Sequence, residues 1–147
     1  MIDIQPLHPR DFTDWEPLWQ DYLEFYKARL DNDVTQTSFH RLTSASELMG
    51  GLLARNEAGE AIGLVHWVVH RSTWSKDDSC YLHDLFAVQS SRNSGVGRAL
   101  IEAVCAHART FGCRKVYWLM HESNDTAMKL YDRLAEKTGF VHYEKSL

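Results

Sequence analysis

Residues 92–98 read Arg-Asn-Ser-Gly-Val-Gly-Arg, and this loop is the part of the chain with the clearest chemical potential. Gly95 and Gly97 lack a Cβ, so N–H groups around them can turn toward one point and an anion can come close. Asn93 belongs to the few residue types that tolerate positive φ. A helical pattern starts near Gly97, which adds unsatisfied N–H groups and the positive end of a helix dipole. Arg92 and Arg98 add positive charge. The combination suits a pyrophosphate. A P-loop would need Gly-Lys-Ser/Thr, and Gly97 is followed by Arg98-Ala99. A dinucleotide fingerprint would need a third glycine where Leu100 stands, with Glu122 as its acidic partner. The loop alone also fits a plain strand-to-helix turn.

Other reactive side chains are less informative by themselves. His66 and His70 share a strand face, but no neighbouring carboxylate or cysteine in sequence completes a ligand set, so no metal is expected. Cys80, Cys105 and Cys113 are odd in number and lack CxxC spacing, which argues against a disulfide framework or a structural zinc. The net charge of -4, with Lys and Arg scattered, gives no basic patch for nucleic acid.

The elements that must position these residues follow from periodicity. The chain has 147 residues, the size of one domain, and 44% hydrophobic content, enough for a core without staples. Residues 2–6 alternate as a short strand. Thr13 and Glu16 match a capping box, and Trp15, Leu18, Trp19, Tyr22, Leu23 and Tyr26 give a helix running to about Leu30. A second helix is expected over 35–48. Strands over 48–55 and 61–71 flank a turn and read as a hairpin, and a third covers 80–88. A helical stripe runs from Gly97 to Phe111, with Gly112 as the stop. A strand over 115–120, a helix from Ala127 to Leu134 and a closing strand over 139–143 complete the order. Antiparallel hairpins followed by a β-α-β crossover predict a mixed sheet with helices on both faces, an α/β (α+β) three-layer domain spanning 1–147.

Arg92-x-x-Gly95-x-Gly97 resembles the Q/R-x-x-G-x-G/A signature of the GNAT superfamily of acyl-CoA-dependent N-acetyltransferases. Tyr81-Leu82-His83-Asp84-Leu85-Phe86 is similar to the strand before that signature, in the version found in polyamine and diamine acetyltransferases. Asn124-x-x-Ala127-x-x-x-Tyr131, followed by Gly139-Phe140, resembles the family's closing pattern. The resemblance covers residues 50–143 well and the N-terminal third by element order. Asn93 departs from the pattern, since many members carry Gly there.

The resemblance implies a mostly antiparallel sheet in which two central strands splay apart, one ending near 86–88 and the other near Met120. It implies acetyl-CoA as acetyl donor, bound by the freed backbone of Leu85, Phe86 and Ala87 and by Arg92, Asn93, Ser94, Gly95, Val96, Gly97 and Arg98, with Asn124 and Ala127 on the far side. Tyr131 takes the position of the general acid that protonates the departing thiolate. The attacking amine must be neutral, and an alkyl ammonium is only ~0.1% neutral at pH 7, a cost of about 4 kcal/mol. His83 and Asp84 occupy the place of the base; simple alternation puts them on opposite faces unless a bulge intervenes. Tyr22 and Tyr26 on the first helix, with His121 and Glu122 after the splayed strand, are the candidate acceptor contacts. Trp15, Trp19, Tyr22, Phe25 and Tyr26 with Asp21 and Glu24 on that helix would give aromatic walls with carboxylates, which suit a cationic amine, although most of them also fit a plain amphipathic core helix.

These features point to a primary amine of a small molecule (polyamine, diamine or amino acid) as acceptor. A peptide or protein lysine, and a non-catalytic acetyl-CoA-binding regulatory module, stay open as alternatives. No signal-like segment and no long apolar run is visible, so a cytoplasmic protein off the membrane is expected. A homodimer is a family expectation, with residues 140–143 as a contact.

Overall fold

The computed structural model describes residues 1–147. In chain order it forms β1 (Asp3–Pro6), α1 (Phe12–Phe25), α2 (Asn32–Leu42), β2 (Met49–Arg55), β3 (Ala61–His70), β4 (Ser79–Ala87), α3 (Val96–Thr110), β5 (Lys115–Tyr117) and α4 (Asp125–Leu134), with short 3-10 turns at Pro9–Asp11 and Gln89–Ser91. The sheet order is β1-β2-β3-β4-β5. The first four strands run antiparallel, and β4 pairs with β5 in parallel.

Strand alternation sorts the core into two layers. On one face Leu53, Leu64 and Phe86 meet Trp15, Leu18, Trp19 and Leu23 of α1 and Phe39 and Leu42 of α2. On the other, Leu52, Val65, Trp67, Cys80 and Leu82 meet Val96, Leu100, Ile101, Val104 and Ala108 of α3, the helical stripe of the sequence. Gly63 lets α3 sit this close: a Cβ there would lie 2.9 Å from Val96 Cγ1 and 3.0 Å from the Phe86 carbonyl oxygen.

Several expected boundaries shift, each for a local reason. The capping box is made by His8 and Asp11 around the 3-10 turn, not by Thr13 and Glu16. Helix α1 stops at Phe25 because Lys27 adopts φ 53° in the left-handed region. Helix α2 lies at 32–42 rather than 35–48. Strand β5 ends at Tyr117, since residues 118–120 have no ladder partner and their apolar character is not strand character. The expected closing strand does not form: residues 135–147 hold no helix or strand, and Phe140, Val141 and Tyr143 are 86%, 75% and 89% exposed.

Candidate active site

The site grows out of an irregularity in β4. The β3–β4 register pairs His66 with Asp84 and Trp67 with Leu82, leaving His83 as the extra residue of a bulge. Before the bulge the even-numbered Cys80 and Leu82 face α3; after it the odd-numbered Leu85 and Ala87 do. The inserted residue therefore turns both His83 and Asp84 to the α1 face. His83 Nδ1 lies 3.5 Å from Asp84 Oδ2, although the His83 side chain is 56% exposed and that of Asp84 only 11%.

Asp84 is the hub of this face. Tyr22 of α1 donates its O–H to Asp84 Oδ1 at 2.8 Å. His66 Nδ1 lies 2.9 Å from Asp84 Oδ2, and the Trp15 indole N–H donates to His66 Nε2 at 3.0 Å. Burial pushes the Asp84 carboxyl up, but His66, with His83 and the Tyr22 hydroxyl, outweighs it, and the group sits below its ordinary value. Asp84 is thus a mostly buried carboxylate with no Lys or Arg partner. Burial and the neighbouring Asp84 push the Tyr22 hydroxyl strongly up, so it stays a donor.

Aromatic rings wall this carboxylate. Tyr22 meets Tyr26 edge-on at 5.0 Å and Phe86 at 6.1 Å. A second wall, which the motifs did not single out, runs from His70 through Tyr117 and Tyr81 to His83. His70 Nε2 lies 2.7 Å from the Tyr117 hydroxyl, Tyr117 stacks on Tyr81 at 5.0 Å, and Tyr81 meets His83 at 5.1 Å. The sequence carries no signal for Tyr117, because the strand reads on to Met120 and its early stop appears only in the fold.

Between β4 and β5 the sheet opens. The two strands pair only at Ser79–Lys115, Cys80–Val116 and Tyr81–Tyr117, while β4 stays paired with β3 as far as Ala87. The β5-facing edge of β4 from Leu82 onward therefore has no ladder partner. Tyr131 of α4 stands beside this gap, with its ring edge-on to Trp118 at 5.4 Å. Burial, with nearby Tyr26, raises the Tyr131 hydroxyl above its ordinary value, so it holds its proton at neutral pH.

At the end of β4 the glycine loop leads into α3. Gly95 caps the helix at φ 87°, no side chain hydrogen-bonds the cap, and the first turn carries no acidic residue. The N–H groups of Val96, Gly97 and Arg98 thus precede the first helical bond, Ala99 N–H to the Gly95 carbonyl. Asn93 also takes positive φ, at 67°. This cradle fits a pyrophosphate: N–H groups without a helical acceptor, no acidic residue in the first turn, and nothing within 4 Å of a Cβ on Gly95.

The remaining sequence candidates are placed as follows. Arg92 folds back, donating to the Ala87 carbonyl at 3.3 Å with its guanidinium 5.5 Å from the Phe25 ring centre and 5.9 Å from that of Phe86. The Val96 side chain is buried against the sheet, so it offers a ligand only its N–H. Ser94 Oγ donates to the Ser91 carbonyl, and Arg98 pairs with Glu102 at 2.9 Å. Asn124 caps α4, its Oδ1 accepting from Ala127 N–H at 3.3 Å. His121 accepts from the Ser123 N–H at 3.2 Å. Both His121 and Glu122 are exposed, and neither bonds to the Asp84 group. Trp15 and His66 were missed as site residues. The available signal was a lone histidine inside the apolar run Leu64-Val65-His66-Trp67-Val68, since a polar side chain buried in such a run needs a partner.

A strand pair that opens beside an uncapped helix N-terminus leaves room for a ligand with an extended arm and an anionic group. The chain belongs to the acetyltransferase (GNAT) family, whose model matches residues 6–135. It is 34% identical over 146 residues to the D-amino-acid N-acetyltransferase HPA3 of Saccharomyces cerevisiae, covering 99% of this chain and 91% of that protein. In fold it is similar to a ribosomal-protein-alanine N-acetyltransferase from Brucella melitensis, with TM-score 0.84, 20% identity and 100% of both chains covered. It is likewise similar to the aminoglycoside acetyltransferase AAC(6')-Iy in complex with a CoA bisubstrate analogue, with TM-score 0.86, 20% identity and 100% and 99% of the two chains covered. The chain is therefore an N-acetyltransferase of a family whose acetyl donor is acetyl-CoA. No helix is long and apolar enough to cross a membrane.

Proposed function

We propose that the enzyme acetylates the primary amine of a small molecule, and that among the polyamine, diamine and amino-acid acceptors a free amino acid fits best. The observation that carries this reading is Asp84, a carboxylate without a Lys or Arg partner, mostly buried among aromatic rings at the mouth of the splay. One such carboxylate matches one ammonium, the charge that polyamines, diamines and amino acids share. The similarity to an enzyme named for D-amino acids supports the amino acid among them.

When bound, acetyl-CoA supplies an activated acetyl group. Its pyrophosphate would rest on Gly95, Val96, Gly97 and Arg98, with Arg92, Asn93 and Ser94 alongside. The β5-facing edge of β4 over Leu85, Phe86 and Ala87, which has no ladder partner, would hold the arm and orient the thioester carbonyl. Asn124 and Ala127 would close the far side. Asp84, held by Tyr22 and His66, binds and orients the ammonium rather than taking its proton, because a depressed carboxyl is too weak a base. His83, bulged beside it and open to water, takes that proton. Tyr131 protonates the leaving thiolate. Tyr22 and Tyr26 wall the acceptor, with His121 and Glu122 at its outer rim.

Three free cysteines suit a reducing compartment, which supports a cytoplasmic location. The open edge of β5 and the exposed Phe140, Val141 and Tyr143 support a homodimer. The test of function is a panel of D- and L-amino acids, diamines, polyamines and a lysine peptide with acetyl-CoA, read by thiol release. Amino acids should turn over fastest; turnover on the peptide alone would overturn the small-amine reading.

A further inference from the structure

Two contacts on one imidazole decide where its proton sits. The Trp15 indole can only donate, and its N–H points at His66 Nε2 from 3.0 Å. The ionised Asp84 can only accept, and its Oδ2 lies 2.9 Å from His66 Nδ1. Neutral His66 protonated on Nδ1 satisfies both. The other tautomer would set N–H against N–H on one side and lone pair against carboxylate on the other. An imidazolium would serve Asp84 but oppose Trp15. Trp15 cannot turn its N–H to water: its ring is fully buried, 5.7 Å from Trp19 and 4.8 Å from Phe39.

We infer that His66 is a positioning residue of the acceptor site: its Nδ1–H aims the Asp84 carboxylate into the cleft, and Trp15 fixes the tautomer that makes this possible. The inference rests on the role of Asp84 proposed above. The groups facing Asp84 are Tyr22 from α1, His66 from β3, and His83 and Tyr81 from β4. Of these, His66 is buried to 3% exposure and sits directly across the ladder from Asp84. It is the donor that solvent cannot replace. The bulge at His83 follows immediately, so the pairing that makes the irregular strand also delivers the donor.

Substituting His66 separates charge control from packing. Leucine in H66L fills the site without a donor, whereas asparagine in H66N keeps an N–H near the Nδ1 position. Loss of one donor to a charged acceptor should lower acceptor kcat/KM about tenfold or more. The KM for acetyl-CoA should not move. H66N should restore most of the lost acceptor kcat/KM. Nitrogen NMR of the wild-type ring, which needs no variant to fold, should show neutral imidazole protonated on Nδ1 at pH 7. A ring protonated on Nε2 or on both nitrogens overturns the inference, as does an H66L enzyme with wild-type acceptor kcat/KM or an H66N equal to H66L. If D84N keeps wild-type acceptor kcat/KM, the Asp84 reading itself fails, whichever tautomer the ring shows.

Discussion

Replacing Asp84 with Asn tests the acceptor site while keeping its shape. The carboxylate accepts from Tyr22 at 2.8 Å and from His66 at 2.9 Å. An amide offers one oxygen and one NH2, so one of those two contacts must fail or invert. Tyr22 can rotate its hydroxyl to accept, but His66 cannot change tautomer without facing Trp15. Both contacts can therefore persist with Tyr22 inverted, and the folded state should lose about 1 kcal/mol, the difference between charge-assisted and neutral hydrogen bonds. Acceptor binding loses more specifically. A charge-assisted bond to the ammonium is worth about 1.5–3 kcal/mol, or roughly a 10–150-fold drop in kcat/KM for the amine. The loop at 92–98 is separate, so the KM for acetyl-CoA should stay at the wild-type value. The assay is thiol release at saturating acetyl-CoA with the amine varied, run below the melting transition of both proteins. A D84N enzyme with wild-type kcat/KM for the amine would refute the reasoning, and so would one whose defect falls on acetyl-CoA.

Three further outcomes follow from the same geometry. Tyr131→Phe keeps the ring against Trp118 and removes the hydroxyl, so stability should hold while kcat falls about 100-fold or more, the usual scale of a lost general acid; unchanged kcat removes Tyr131 from the chemistry. Gly95→Ala meets no atoms but must hold φ 87°, so it should cost about 1 kcal/mol and raise the KM for acetyl-CoA and not for the amine; a purely acceptor-side defect would count against the phosphate cradle. Because folding depresses the Asp84 carboxyl, the stability it contributes is full above its unfolded value, near pH ~4, and is lost as pH falls through the folded value. Melts of wild type and D84N should therefore converge as pH drops below about 4, and a gap that stays constant would contradict the depressed carboxyl.

The glycine loop and α3 were legible because their physics is local. A glycine that needs positive φ and a 3.6-residue stripe are both written in neighbouring residues, and Gly95 and the stripe from Val96 to Ala108 stand where those signals put them. The splay was legible only through the resemblance, because the failure of β4 and β5 to pair beyond Tyr81 and Tyr117 depends on both strands at once. The bulge at His83 was not legible, since one strand's alternation says nothing of its register with the next. That single extra residue decides that His83 and Asp84 share a face. Trp15 and His66 lie 51 positions apart, and their contact exists only after α1 packs on β3. Residues 139–143 show the opposite failure: β-prone residues read as a strand, yet they lie exposed and pair with no strand of the sheet.

The central claim is that acetyl-CoA in the splay meets a single ammonium at Asp84. It is tested most directly by incubating the purified enzyme with acetyl-CoA and an equimolar mixture of D- and L-amino acids, diamines and polyamines, then identifying acetylated products by mass spectrometry. The account predicts α-N-acetylated amino acids, formed in step with free CoA thiol and lost in D84N. Acetylation confined to the polyamines, or thiol release with no acetylated amine, would contradict it.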